Sequence, residues 1–365
     1  MAASAHMRRA LELAQQARHR TSPNPMVGAV VVVDGEIVGE GYHRRAGEDH
    51  AEIVALRQAG ARARGATMYV TLEPCSHTGR TAPCTEALIS AGISRAVIAI
   101  EDPHPLVSGN GLRMLRLAGI TTDLGDGAEE AQAINLRWLM SLREHRPFVA
   151  LKFAMSLDGK IATATRKARW ITGEAARAES HRLRSVYDGV LVGAATVIDD
   201  DPQLTARGFD GSSAERQPAR VVLDGRLRVP ATARVFARDG GGTTMVATSR
   251  GGYARRGAEL EAAGAAVEVC GEDDRLVVRE VLQVLNRRGL HSLLVEGGGE
   301  VAWAFVDAGV VDHVYGFVAP SLMGGAIAPT AVDGDGFTTP DAAFRLNFVA
   351  LERVGEDVLL EAVPA

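Results

Sequence analysis

A chain of 365 residues that is 46% hydrophobic is too long for one typical domain and apolar enough to bury two cores. Its three cysteines cannot build a secreted disulfide framework, no charged-then-apolar leader opens it, and no apolar run approaches the roughly 18 residues of a spanning helix, so a cytoplasmic, membrane-free protein is expected. The net charge of −5, with arginines scattered among acids, lacks the basic stripe of a nucleic-acid binder and leaves small molecules, phosphorylated ones included, as ligands.

From Met7 to Arg20 the positions Ala10, Leu11, Ala14 and Ala17 keep helical spacing, and "VGAVVVVDGEIVGEGYH" reads as two strands around an Asp34-Gly35 turn. "DHAEIVALRQAGARA" follows as a helix, "ATMYVTLEP" as a strand, "PCTEALISAG" as a helix stopped at Gly92, "SRAVIAIED" as a strand and "GLRMLRLAGI" as a helix. These make one α/β domain, residues 1–145, and the polar stretch "SLREHRP" from Ser141 to Pro147 is the expected boundary. A second α/β domain, residues 146–365, opens on the strand "FVALKFAMS". It alternates the strands "GVLVG", "ARVVLD", "TTMVATS", "SLLVEGG" and "HVYGFVAP" with the helical stretch "GEAARAESHRLRS" and helical periodicity around Val277 to Leu285. The Gly-rich "ARDGGGTT" reads as a loop, and no internal repeat is present.

"CSHTGRTAPC", residues 75–84, sets Cys75 and Cys84 close together, each directly after a proline, and "DHAEI" upstream supplies His50 and Glu52. One imidazole and two thiols are borderline and soft ligands suited to zinc, and three protein ligands leave a fourth position for water. Zinc lowers the pKa of such a water towards about 7, and Glu52 is placed to shuttle its proton to a leaving amine; this is hydrolytic deamination. Residues two apart on a regular helix do not face each other, so His50 is expected at a helix entry with non-helical backbone, and Cys84 at the start of the next helix, where the dipole favours a thiolate. The alternative is a closed structural zinc site completed by His43 or His77, against which stands the carboxylate two residues from a ligand. Cys270, alone in the second half, reads as an inert buried residue. The eight residues between the cysteines depart from the Cys-x-x-Cys of common nucleobase deaminases.

"TSPNPMVGAV", "HAE", "EPCSHTGRTAPC" and "EDPHPLVSGNG" together resemble the deaminase half of the bifunctional riboflavin-biosynthesis deaminase/reductases, a cytidine-deaminase-like α/β/α domain. The resemblance implies that His50, Cys75 and Cys84 bind zinc, that Glu52 is the proton donor, and that Asn24, His43, His77 and Arg80 surround the pyrimidine and ribose. His104 and Asn110 stand where that family usually has Asn and a basic residue.

"FVALKFAMSLDGKIA", "RWITG", "DGVLVGAATVIDDDPQLTAR", "ARVVLDG" and "LLVEGGGEVAWAF" resemble the reductase half of the same enzymes, a dihydrofolate-reductase-like α/β domain using NADPH. From the residues alone, "LLVEGGGEVAWAF" is a strand, a glycine turn and a helix whose first N–H groups suit a pyrophosphate; it is not the GxGxxG fingerprint, and a plain tight turn reads equally well. The acidic run Asp199 to Asp201 alone reads as a solvated turn or a magnesium site. The resemblance implies a third role, in which Thr196 and Asp200 touch the cofactor while Leu204 and Arg207 touch substrate. It further implies NADPH contacts from Ala154, Trp170, Gly225 and the turn and helix of Gly298, Gly299, Glu300, Val301, Ala302, Trp303 and Ala304. Ala168, Arg184 and Glu296 would contact substrate, with Lys152 as the catalytic residue; a snorkelling edge lysine is the alternative for Lys152. Ala168 and Gly225 stand where related enzymes often have Ser, and Arg226 and Arg228 read either as the NADPH 2′-phosphate site or as plain surface charge, with Ser249 and Arg250 the next candidates for the phosphate.

The whole reads as a two-step enzyme. The first domain would deaminate 2,5-diamino-6-(5-phosphoribosylamino)pyrimidin-4(3H)-one and the second would reduce the ribosyl group of the product, 5-amino-6-(5-phosphoribosylamino)uracil, with NADPH, in a homo-oligomer (dimer or tetramer) free of nucleic acid and membrane. The alternatives are a nucleobase or nucleotide deaminase with an inactive reductase-like domain, and a zinc-stabilised binding module.

Overall fold

The structure, a computed structural model, describes residues 3–17, 20–76, 83–104, 107–237 and 241–365 and separates into two units, Met1–His145 and Arg146–Ala365. In the first unit the Ser4 hydroxyl accepts from the Met7 N–H and starts α1 (Ala5–Gln15). Asp34 and Gly35 both take positive φ, 48° and 84°, the twist that closes a two-residue hairpin between β1 (Gly28–Val33) and β2 (Glu36–Tyr42). Then come α2 (Ala51–Ala59), β3 (Thr67–Val70), α3 (Cys84–Ala91), β4 (Arg95–Ile98), α4 (Asn110–Leu117), β5 (Thr121–Leu124), α5 (Ala128–Ile134) and α6 (Leu136–Glu144). The sheet order is β2-β1-β3-β4-β5, antiparallel on both sides of β1 and parallel thereafter. Alternation along β1 sends Ala29 and Val31 to a core with Ala51, Ala55, Leu88 and Leu115 of α2, α3 and α4. Val30 and Val32 go to a second core with Met7, Leu11, Ala131 and Trp138 of α1, α5 and α6. Helices therefore cover both faces.

The stretch "SLREHRP" is not a linker throughout: through Glu144 it is the last turn of α6, which buries Trp138 and Ser141 and exposes Arg143 and Glu144. Its charged face hid the helix. The strand β5, "TTDL", was hidden for a related reason, because no apolar alternation marks it.

The second unit runs β6 (Phe148–Ser156), α7 (Glu174–Val186), β7 (Gly189–Gly193), α8 (Ala194–Asp200), β8 (Ala219–Leu223), β9 (Thr244–Thr248), α9 (Arg250–Ala262), β10 (Ala266–Val269), α10 (Val278–Arg287), β11 (Ser292–Val295), α11 (Gly299–Asp307), β12 (His313–Ala319), β13 (Leu346–Val354) and β14 (Asp357–Pro364). Nine strands order as β10-β9-β8-β7-β11-β6-β12-β14-β13, parallel from β10 to β12 and antiparallel through the terminal pair. The central strand β7 is buried along its length, as expected of a parallel strand covered on both faces. Helices α8 and α9 and strands β10, β13 and β14 escaped the sequence reading; β13 is exposed along most of its length and shows no buried face. Among the described residues no helix is long and apolar enough to cross a membrane.

Candidate active sites

In parallel sheets ligands gather beyond the carboxyl ends of the strands, and both units follow that rule. In the first, Cys75 sits on the loop after β3. His50 is the N-cap of α2 with extended backbone (φ −71°, ψ 158°), so it escapes the i, i+2 divergence of a helix, and Cys84 is the first residue of α3. The ligand atoms of His50, Cys75 and Cys84 all lie within 4.8 Å of one another, with His50 Nδ1 3.2 Å from the Cys84 sulfur and 3.6 Å from that of Cys75. The first N–H of α3, that of Cys84, donates to the Cys75 sulfur at 3.3 Å. Hydrogen bonds from Cys84 and His50 draw the Cys75 thiol down to about 4, and the same sulfur–sulfur contact, with burial, pushes Cys84 upward. A half-buried imidazole beside one thiolate and one thiol is a donor set that a divalent soft cation completes, and it fits zinc. Glu52, 4% exposed, lies on the first turn of α2; burial raises its pKa against the pull of His50.

Around this group, His43 places Nδ1 3.1 Å from the Asp49 carbonyl and Nε2 3.0 Å from Asn24 Nδ2. The carbonyl only accepts and the amide NH2 only donates, so the ring is the neutral Nδ1–H tautomer with both nitrogens engaged. Burial lowers its pKa further. His43 therefore cannot be the fourth ligand of a closed site, and it orients Asn24 instead. His77 and Arg80 lie outside the described residues. Two carboxylates were missed in the sequence. Buried Glu73 accepts the N–H groups of Asp102, Gly109 and Leu112 at 3.0 to 3.1 Å, wiring this loop to the metal-side strand end. Asp102, which accepts from the His104 N–H, is pushed up by burial to about 6. Asn110 accepts from Arg113 at 3.0 Å, so a guanidinium stands beside it.

In the second unit, cavities of about 620 Å³ and 400 Å³ meet at Lys152, Ala154, Ala168, Thr196, Asp200 and Glu296, which line both. Arg184 grips Glu296 with two bonds, 2.7 Å and 2.9 Å, and the Lys152 ammonium is 3.6 Å away. Burial alone would raise the Glu296 pKa; Arg184 and Lys152 hold it at about 2, while burial lowers that of Lys152. Lys152 is thus inside a cavity wall and is not a snorkelling edge residue. Leu204, Arg207 and Trp170 line the larger cavity, which places Trp170 apart from the smaller one. Gly298, Gly299, Glu300 and Val301 line the smaller, at the N-terminus of α11, which no side chain caps. Uncapped N–H groups facing a cavity fit a dinucleotide pyrophosphate. Ala302, Trp303 and Ala304 line neither cavity, because the helix turns them away: Ala302 is in the core and the Trp303 ring packs on Phe337 at 5.0 Å. The acidic run Asp199 to Asp201 ends α8, and among the described residues it belongs to no group of three convergent metal-ligating side chains. Cys270 is buried and its thiol pushed up to about 11 by burial, as an inert residue requires.

Family profiles agree with this division. The one described as the RibD C-terminal domain matches residues 147–360, and the one described as the cytidine and deoxycytidylate deaminase zinc-binding region matches residues 1–100. The riboflavin biosynthesis protein RibD of Bacillus amyloliquefaciens is 45% identical over 98% of this chain and 95% of its own length. The chain belongs to the RibD family. RibD of Escherichia coli K12 is 40% identical over 99% of both chains. A solved structure of Acinetobacter baumannii RibD, 37% identical, superposes with a TM-score of 0.89 over 99% of this chain and 98% of that one. The Thermotoga maritima protein, a diaminohydroxyphosphoribosylaminopyrimidine deaminase/5-amino-6-(5-phosphoribosylamino)uracil reductase, is 36% identical with a TM-score of 0.81 over 99% and 98%. As a RibD this chain is a bifunctional deaminase and reductase of riboflavin biosynthesis, with a cytidine-deaminase-like and a dihydrofolate-reductase-like domain, and it uses zinc and NADPH.

A Cβ added to Gly225 would stand 2.5 Å from the Asp274 carbonyl oxygen, so the backbone at Asp274 fills the space a serine would need, and Gly225 lines neither cavity. Of the residues considered for the 2′-phosphate, Arg226 faces Asp274 at 3.6 Å, Ser249 is spent capping α9, and Arg250 pairs with Glu272. Only Arg228 lines the smaller cavity. In steady-state kinetics Arg228→Ala is therefore expected to raise the NADPH Michaelis constant roughly ten- to hundred-fold and to spare that for NADH. Arg226→Ala should change neither, and equal losses with both cofactors would move the phosphate elsewhere.

Proposed function

We propose that residues 1–145 deaminate 2,5-diamino-6-(5-phosphoribosylamino)pyrimidin-4(3H)-one and that residues 146–365 reduce the ribosyl group of the resulting aminouracil to ribityl. The observation that carries this reading is a buried carboxylate, Glu52, beside three convergent metal-ligating side chains, His50, Cys75 and Cys84. Zinc, when bound, activates water for attack on the amino-bearing carbon. Glu52, whose pKa is raised by burial, takes a proton from the attacking water and delivers it to the departing ammonia. Asn24, fixed by His43, orients the ring.

In the reductase half NADPH, when bound, supplies a hydride. The Thr196, Asp200 and Gly298 to Val301 walls hold it, and Ala154 and Ala168 leave room where the two ligands meet. Arg184, Leu204 and Arg207 hold the phosphoribosyl chain, for which guanidinium forks suit the 5-phosphate. Lys152, kept acidic by burial and positioned by Glu296, gives a proton from Nζ to the ribosyl oxygen released when the sugar ring opens.

The protein is cytoplasmic, and it is a homo-oligomer, a dimer or tetramer; for the oligomer the outer strand β13 is the support, since Phe348, Val349 and Leu351 are all more than half exposed along a sheet edge. Ammonia release from the diaminopyrimidine, with and without a chelator, tests the first half, and NADPH oxidation with the deaminated product tests the second. Chelation should stop the first and spare the second. Ammonia release without NADPH oxidation would instead leave a deaminase with an inert partner domain.

A further inference from the structure

The larger cavity of the second unit is rich in donors. Lys152, Arg177, Arg184 and Arg207 line it, and its one strongly buried carboxylate, Glu296, is already occupied by Arg184 and Lys152. Such a wall suits a phosphate, but a ribosyl chain also brings hydroxyl protons that need acceptors. His181, also in that wall, lies on α7 three residues before Arg184. Its Nδ1 is 3.0 Å from the Thr205 carbonyl, and the same oxygen accepts from Arg184 Nη1 at 3.2 Å. A carbonyl only accepts, so Nδ1 carries the ring proton and Nε2 presents a lone pair. No hydrogen bond to Nε2 is made by the described residues. Burial and the cations Arg184 and Arg207 hold the ring below its usual pKa against Glu296, and so keep it neutral.

We propose that His181 is the hydroxyl acceptor of the substrate cavity, taking a hydrogen bond from the 2- or 3-hydroxyl of the ribosyl group at Nε2 and so selecting ribose over deoxyribose. This rests on the reductase reading above. Anchored to the backbone atom that also holds Arg184, the ring fixes the sugar chain relative to the phosphate-binding guanidiniums.

The test is a calorimetric titration of the full chain, in the presence of NADP⁺, with ribose 5-phosphate, 2-deoxyribose 5-phosphate and 3-deoxyribose 5-phosphate. Wild type should prefer ribose 5-phosphate over one deoxy sugar by about tenfold, as for one hydrogen bond to a neutral acceptor. His181→Phe should bind all three alike, and His181→Gln, which retains an acceptor of similar reach, should recover part of the preference. The thermal unfolding of the second unit and its affinity for NADP⁺, read on the same samples, should not change and so report intact folding. A wild type without preference, or a Phe variant that keeps it, overturns the inference. Failure of wild type to oxidise NADPH with the aminouracil would overturn the reductase reading instead.

Discussion

Glu52→Gln is expected to lower deamination about a thousandfold, within the roughly 10² to 10⁴ that a positioned acid–base group contributes, while the chain keeps about one zinc. The amide preserves the shape of a side chain only 4% exposed but cannot carry a proton from water to amine. The ligand atoms of His50, Cys75 and Cys84 converge without it, so metal content should survive. Cys75→Ser should lose both zinc and activity. Metal analysis beside an ammonia assay decides between the roles, and a Glu52→Gln protein as metal-free as Cys75→Ser would make Glu52 a ligand or a scaffold.

Glu296→Ala is expected to abolish reduction, leave deamination intact and destabilise the second unit by about 3–5 kcal/mol, the usual consequence of stripping one partner from a buried ion pair. Two cations, Lys152 and Arg184, would remain in a wall where their side chains are only 12% and 18% exposed. Since the folded-state pKa of Glu296 is held at about 2, below its unfolded value, its stabilising charge is fully present above the ordinary carboxylate range and is lost only as pH falls through about 2. The wild-type contribution should therefore be flat from pH 6 to 8, and calorimetry should show the Glu296→Ala deficit constant over that window. A variant as stable as wild type would mean that the network is solvated.

The metal group was legible because its chemistry is written in residue types: His-x-Glu and two Pro-Cys steps name the ligands, and the need for His50 and Glu52 to converge placed the helix entry. The hairpin was legible because Asp-Gly favours its turn. Residues that act through the backbone they touch were not. Glu73 matters because three N–H groups meet its carboxylate, and His181 because a carbonyl 24 positions away in sequence sets its tautomer; no spacing encodes either. Gly225 was expected at the cofactor by resemblance, and the backbone at Asp274, far along the chain, fills the space a serine would need there. Ala302 to Ala304 line neither cavity for a simpler reason, since a helix presents one face and a motif has none.

Every side chain of the metal group precedes His145, and every residue lining the two cavities follows Arg146. Genetically, this makes the locus two cistrons in one reading frame. Alleles encoding Glu52→Gln and Glu296→Ala, each unable to support growth without riboflavin, should complement one another when co-expressed, the aminouracil made by one polypeptide being consumed by the other. The rescued strain should accumulate that intermediate, because each molecule must diffuse between polypeptides before it is reduced.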